Sequence, residues 1–272
     1  MNSYHPTSLL NDLQYYITPP HSCSYLENKS ARMVFLDPAH RIDVLSLSEL
    51  SRVGFRRSGD FVYRPECHLC RQCLSCRVPV AEFQMNSVQK KAWKRNQDLS
   101  IKITRTQDAL ESVHYALYER YISERHADGD MFPPSLDQFE KFLVHSCTES
   151  FFLEFWKDDK LICVSSCDPL DDGVSAVYTF FDPDESRRSL GIFAVLKQIE
   201  HAQSLGLPYV YLGYWVPHSP KMNYKSQYVP LELLIDGQWR RLNRMLNAEE
   251  IQQLGNSLMS TLPSGWNNPI IK

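Results

Sequence analysis

Apolar residues recur three and four positions apart at Leu110, Val113, Leu117 and Tyr121, a spacing that places them on one face of a helix. Asp108 with Glu111 three residues later supplies a start signal, and Asp128-Gly129 supplies a stop. Ser135 with Gln138 repeats the start signal ahead of Phe139, Phe142 and Leu143. The period then shortens. Phe151–Trp156 and Leu161–Ser166 read as strands joined by the polar turn Lys157-Asp158-Asp159-Lys160, which predicts a hairpin. Ser175–Phe181, rich in Val, Tyr, Thr and Phe, is a third strand. Leu190–Leu205 is an apolar-faced helix stopped by Gly206, and Tyr209–Leu212 is a fourth strand.

The first hundred residues are less regular. Turns, cysteines and arginines dominate, with Pro19-Pro20 and short apolar runs such as Met33–Leu36. A basic stretch, Gln89-Lys90-Lys91-Ala92-Trp93-Lys94-Arg95-Asn96, leads into Ser100–Thr104, which alternates like a short strand. The expectation is an α+β protein of two domains. Residues 1–104 form a small mixed α/β domain with a cysteine cluster. Residues 105–272 match, in the order helix, helix, strand, strand, strand, helix, strand, the N-acetyltransferase-like (GNAT-like) core with a central mixed sheet.

With 272 residues the chain can bury two cores. Its 43% hydrophobic and 22% charged residues are the balance of a globular protein. No run approaches the roughly 20 apolar residues of a membrane span, and the opening MNSYHPTSLL lacks the basic and apolar regions of a secretory signal. A cytoplasmic protein with no membrane partner is expected. The net charge of -3 argues against a generic nucleic-acid coat, while leaving room for local basic patches.

Four of the eight cysteines crowd into Cys67, Cys70, Cys73 and Cys76. CxxC spacing lets one backbone turn direct several thiolates at a single ion or cluster. Cys76 and Cys23, in His21-Ser22-Cys23-Ser24-Tyr25, compete as the fourth ligand. Zinc and an iron–sulfur cluster both suit such donors, and the plainer alternative is a set of small buried residues. Cys147, Cys163 and Cys167 stand alone on apolar segments and read as core.

Gly54-Phe55-Arg56-Arg57-Ser58-Gly59-Asp60, followed by Tyr63-Arg64-Pro65, sets arginines among glycines and aromatics. That arrangement suits a bidentate grip on a carboxylate or phosphate, although arginines in a surface loop also pair with nearby acids. Lys90, Lys91, Lys94 and Arg95 cluster if their segment is helical, with Trp93 as a stacking surface for a base. A solvated charged face is the alternative. Arg187-Arg188-Ser189-Leu190-Gly191 opens the helix after the third strand, where backbone amides, Arg187, Arg188 and Gly191 would cradle phosphate. An ordinary capped helix with exposed arginines would look the same.

Candidate acyl-transfer groups gather near the strand ends: Tyr178 and Asp182 on the third strand, Tyr214 and Lys221 after the fourth. Tyrosines and a lysine there would orient an ester and stabilise the oxyanion formed when an amine attacks it. Asp182 or a tyrosine would assist proton removal. An amine attacking an activated ester needs no enzyme nucleophile, so the lack of a Ser-His-Asp or Cys-His pattern is compatible with direct transfer.

Taken together, these motifs resemble the bacterial aspartate/glutamate leucyltransferases, relatives of the eukaryotic arginyl-tRNA–protein transferases. The resemblance runs from about His21 to Arg240. Besides the motifs above, it includes Arg95-Asn96-Gln97-Asp98-Leu99, Arg125-His126-Ala127-Asp128-Gly129 and Tyr209-Val210-Tyr211-Leu212-Gly213-Tyr214-Trp215. It implies transfer of leucine from leucyl-tRNA to an N-terminal Asp or Glu, forming a peptide bond and marking the acceptor for degradation. On that reading Arg56, Arg57, Tyr63 and Arg64 bind the acceptor. Lys90, Lys91, Lys94, Arg95, Arg187, Arg188 and Gly191 bind tRNA. Cys23, Cys67, Cys70 and Cys73 hold a zinc ion or iron–sulfur cluster, and the chemistry itself requires no cofactor. The pattern is broken at three places: Cys76 replaces an aliphatic residue, Lys90-Lys91 an arginine pair, and Ser219 a cysteine. Three alternatives remain: arginine as the donor's amino acid, a coenzyme A-dependent N-acyltransferase, and a non-catalytic metal-stabilised RNA-binding module.

Overall fold

The computed structural model describes residue 10 and residues 13–146 and 148–260; Cys147 and the opening nonapeptide lie outside the described residues. Strands β1 (Tyr15–Ile17), β2 (His21–Ser22), β3 (Ser30–Ala31) and β4 (Met33–Leu36) precede helix α1 (Val44–Arg52). Strands β5 (Arg56–Ser58), β6 (Phe61–Pro65) and β7 (Leu74–Pro79), helix α2 (Ser87–Arg95) and strand β8 (Ser100–Arg105) follow. A π-turn, Glu111–Tyr115, runs into α3 (Ala116–Arg125), and α4 (Leu136–Phe139) runs into a second π-turn, Glu140–Val144. Then come β9 (Phe151–Lys157), β10 (Lys160–Leu170), β11 (Gly173–Phe181), α5 (Leu190–Ser204) and β12 (Tyr209–Trp215). The described chain closes with β13 (Leu231–Ile235), β14 (Gln238–Leu242) and α6 (Ala248–Ser260).

The chain forms two units, one of Met1–Val78 with Leu212–Lys272, the other of Pro79–Tyr211. The parting therefore falls elsewhere than after residue 104. Strand β8 pairs with β9 from Ser100 opposite Trp156 to Arg105 opposite Phe151, which ties it to the second unit. The chain beyond Leu212 returns to the first unit, where β13 pairs with β7 at Leu233 and Cys76.

In the first unit, β1, β4, β6 and β5 make an antiparallel sheet in that order. Val34, Leu36, Leu47, Leu50, Phe55 and Val62 bury its core. In the second unit, β8, β9, β10 and β11 run antiparallel, and the opening of β12 lies parallel to β11, so the sheet is mixed. Helix α5 supplies the crossover that a parallel pair requires. Tyr118, Ile122, Phe139, Phe152, Val164 and Phe180 are buried between sheet and helices.

The hairpin of β9 and β10 pairs Lys157 with Lys160, and Asp158 takes the positive φ that its tight turn demands. Ser135 caps α4 by accepting from the Gln138 amide, as its spacing predicts. Asp108 does not cap its helix. It ends a short 3-10 turn, and the Leu110 amide instead donates to His114 Nδ1 at 2.9 Å. Cys163 and Cys167 lie fully buried in β10. Among the described residues no helix is long and apolar enough to cross a membrane.

Candidate active site

Asp43 caps α1 through its side chain, and Gly54, at φ +93°, turns the chain into β5. In β5 and β6, Arg56 faces Tyr63 and Arg57 faces Val62. Successive side chains of a strand point to opposite faces, so the expected arginine grip divides. Arg56 and Tyr63 share one face; Arg57 and Arg64 share the other. Arg57 is buried and donates to the Gly59 carbonyl at 3.0 Å, which makes it a brace for the hairpin turn.

The Arg56 face is aromatic. Its guanidinium stands 5.4 Å from the centre of the Tyr214 ring, and Tyr25, Tyr63 and Cys76 complete its electrostatic surroundings. Burial, followed by Tyr63, pushes the Tyr25 phenol up to about 12. Burial raises the fully enclosed Tyr214 phenol well above its ordinary value, and its hydroxyl is shared between the carbonyls of Gly54, at 2.9 Å, and Tyr63, at 3.2 Å. These phenols therefore keep their protons at neutral pH. Lys221 is exposed. Lys225, one helical turn later, is the buried lysine: its Nζ donates to the Tyr214 carbonyl at 2.6 Å, and burial lowers it to about 8. Sequence reasoning passed over Tyr25 and Lys225. Tyr25 sits within a noted motif and Lys225 four residues after the candidate Lys221, but only the tertiary fold brings them to Arg56.

On the other face Arg64 joins Glu66 at 3.1 Å and donates to the Val53 carbonyl, with its guanidinium 5.1 Å from the centre of the Phe55 ring. Arg64 and Glu66 line a cleft of about 720 Å³ together with Cys67, Cys70, Cys73, Tyr214 and the apolar Leu234 and Leu258. The cysteines fall into two groups. Burial raises the thiols of Cys67, Cys70 and Cys73, and each is raised again by neighbouring thiols, Cys23 among them in every case. The four thiols of Cys23, Cys67, Cys70 and Cys73 thus lie within electrostatic reach of one another in one unit. Among the described residues no three His, Cys, Asp or Glu side chains already stand in metal-holding geometry. Cys76 departs from that group: it is buried in β7, its thiol turned 3.2 Å from the Gly213 carbonyl.

The second unit holds Tyr178 and Asp182. Tyr178 packs against Phe142 and Tyr121, and burial pushes its phenol well up. Asp182 is fully buried, paired with Lys160 at 2.6 Å and Arg120 at 3.2 Å, and accepts from the Asp184 amide. Burial alone would raise its carboxyl. The Lys160 ammonium, that amide and Arg120 outweigh burial and hold it below the usual carboxylate range. Asp182 is thus a fixed anion that caps the turn after β11 and a poor proton acceptor.

Replacing Asp182 with Asn should cost about 1–3 kcal/mol of stability through the lost charged contacts. A folded-state carboxyl held low contributes stability above its ordinary 3.8 and loses it as pH falls through the folded value. Urea unfolding should therefore separate D182N from the parent at pH 7 and bring them together in acid. A shifted neutral limb in the pH profile of transfer would instead make Asp182 the base.

Lys90, Lys91, Lys94 and Arg95 lie exposed on α2, which Asn86 and Gln89 cap reciprocally. Arg95 donates to the Arg187 carbonyl, bringing exposed Arg187 beside them. Arg188 is committed elsewhere, held bidentately by Asp98 at 2.9 Å and by Glu185 at 2.7 Å. Gly191 lies at the start of α5 against Phe181. Trp93 does not offer a free stacking face: Lys197 stands 4.2 Å from its ring centre, and Phe193 packs on it.

Family models for the N terminus and the C terminus of arginine-tRNA-protein transferase match residues 21–91 and 113–235. The aspartate/glutamate leucyltransferase of Acinetobacter baumannii is 80% identical over 272 residues, all of both chains. That of Pseudomonas fluorescens is 52% identical over 231 residues, 85% of this chain and 97% of its own. A solved structure of L-PGS from Bacillus licheniformis aligns over 94% of this chain and 92% of that one, at 9% identity and TM-score 0.41. That likeness is too slight to assign a fold.

Proposed function

The chain belongs to the arginine-tRNA-protein transferase family, and on that premise we propose that it transfers leucine from leucyl-tRNA to the N-terminal aspartate or glutamate of an acceptor protein in the cytoplasm. The observation that carries the choice of leucine is the 80% identity, over the whole of both chains, with the leucyltransferase of Acinetobacter baumannii. In the reaction the acceptor's neutral amine attacks the leucyl carbonyl carbon. The new C–N bond forms, the ester C–O bond breaks, and the tRNA 3′ oxygen leaves with a proton. The product's new N-terminus marks the acceptor for degradation.

Each unit offers a fitting surface. The Arg56 face and the Arg64 cleft supply cations for an acidic first residue. The α2 face, with Lys90, Lys91, Lys94, Arg95 and Arg187, supplies cations for phosphates. Support for the GNAT-like reading of the second unit comes from its element order and from the brief pairing of β11 with β12, three residues from Gly173 opposite Tyr209 to Ser175 opposite Tyr211. The rest of β11, Ala176–Phe181, runs on beyond that pairing. Tyr178, on this segment, keeps its proton and is suited to hydrogen-bond donation.

The test is to mix the protein with radiolabelled leucyl-tRNA or arginyl-tRNA and peptides beginning with Asp, Glu, Lys or Ala. Leucine should enter only the Asp and Glu peptides. Arginine transfer would overturn the donor, and no transfer from either would overturn the reading. Changing Lys90, Lys91 and Lys94 together to Gln should raise KM for leucyl-tRNA and flatten the salt dependence of binding, by a slope of about 2–3 if each lysine meets one phosphate. KM for the peptide should stay unchanged.

Cys23, Cys67, Cys70 and Cys73 would hold a zinc ion or iron–sulfur cluster. Four thiols that repel one another as thiolates are matched to a soft cation, which would lock the loop carrying Cys67–Cys73 onto the segment carrying Cys23. Protein purified without oxygen should carry metal in fixed ratio, measurable by elemental analysis. C73S should lower that ratio and the melting temperature, whereas C76S should leave the ratio intact.

A further inference from the structure

Arg64 and Glu66 stand two residues apart, at the end of β6 and just beyond it, and both line the cleft. Their pairing leaves one group of each open. Arg64 uses Nη2 on Glu66 Oε2 and Nη1 on the Val53 carbonyl, while its buried Nε has no partner among the described residues. Glu66 Oε1 likewise meets no protein donor among the described residues. The result is a salt-bridged pair with one unspent donor and one unspent carboxylate oxygen beside a cavity.

We propose that this pair reads the acceptor's first residue on binding, with Glu66 holding its α-ammonium, which must give up a proton before it attacks, and Arg64 its side-chain carboxylate; the assignment rests on the leucyl-transfer reading above. An N-terminal Asp or Glu carries both charges a few bonds apart, the complement of the open valences. Each member of the pair already offsets the other's desolvation, so the ligand completes bonds without isolating a charge. A neutral first residue would leave the buried Arg64 Nε unsatisfied, and a blocked N-terminus would displace water from Glu66 Oε1 without replacing its hydrogen bond. A site built to hydrogen-bond a group rejects ligands that lack it. The other acid of the cleft, Asp236, is held by Arg71 at 2.6 Å and is 53% exposed, so water screens it.

The experiment compares the Asp-Ala dipeptide with succinyl-alanine, the same molecule without its α-ammonium, by titration calorimetry on the full chain. The unaltered protein should bind Asp-Ala about tenfold or more tightly, the increment expected for one charged hydrogen bond. E66Q should erase that preference and D236N should keep it. E66D retains the charge that pairs with Arg64 while shortening its reach, and should fold and show a reduced preference should E66Q unfold. Equal binding of both ligands by the unaltered protein, or a preference unchanged in E66Q or E66D, overturns the assignment. Failure of the leucyl-transfer reading shows separately, as absence of leucine transfer by the unaltered protein.

Discussion

Gly213→Ala should destabilise the protein by about 2–6 kcal/mol and remove most transfer activity. Gly213 sits inside β12 at φ +77°, a conformation that costs a residue with a side chain about 1–3 kcal/mol. A methyl group there would also collide with the Arg56 guanidinium. Overpacking of that kind adds about 1–3 kcal/mol. The damage would reach the site because the same short segment organises it. The Gly213 carbonyl accepts from the Cys76 thiol, and the next carbonyl, that of Tyr214, accepts from Lys225. Urea unfolding would measure the stability, and transfer to an Asp peptide would measure the function. Combining G213A with R56A should restore part of the stability by removing the colliding group, without restoring transfer. A G213A protein as stable as its parent would show that Arg56 moves aside freely, and the packing account of this site would fail.

Glu154→Ala should cost about 2–4 kcal/mol, because it leaves the buried His114 and Trp156 donors without their acceptor. Glu154, on β9, is 3% exposed. One oxygen meets His114 Nε2 at 3.0 Å and the other accepts from Trp156 Nε1 at 2.8 Å. His114 Nδ1 accepts from the Leu110 amide, which leaves the proton on Nε2 and aims it at the carboxylate. Burial raises the Glu154 carboxyl, but the bonds from His114, Thr104 and Trp156 bring it below its ordinary value. Its stabilisation is therefore complete above the ordinary 4.5 and lost as pH falls through the lower folded value. Thermal unfolding at pH 7 should show E154A far below the parent, with the gap closing in acid. H114A should be similarly costly, and a double variant should lose less than the sum of the two. Additive losses would mean that the two groups act independently.

What the sequence determined by itself was local or motif-borne. The element order from residue 110 to Leu212, the Ser135 cap and the hairpin at Asp158-Asp159 depend on nearest neighbours along the chain, where periodicity and turn chemistry suffice, whereas β13, β14 and α6 were not read from the sequence. The family was legible because its motifs recur in a fixed order. Tertiary structure decided the rest, because those matters depend on distance in space. Strand pleating divided Arg56 from Arg57, which no reading of adjacent arginines as one clamp can foresee. Asp98 claimed Arg188, and Lys160 with Arg120 turned a candidate base into a fixed anion. Pairing of β13 with β7 carried the chain beyond Leu212 back to the first unit, where Lys225 came to lie near Arg56 and Cys73. Charges placed by long-range pairing are desolvated and partnered by residues far away in sequence, so their chemistry is a property of the fold.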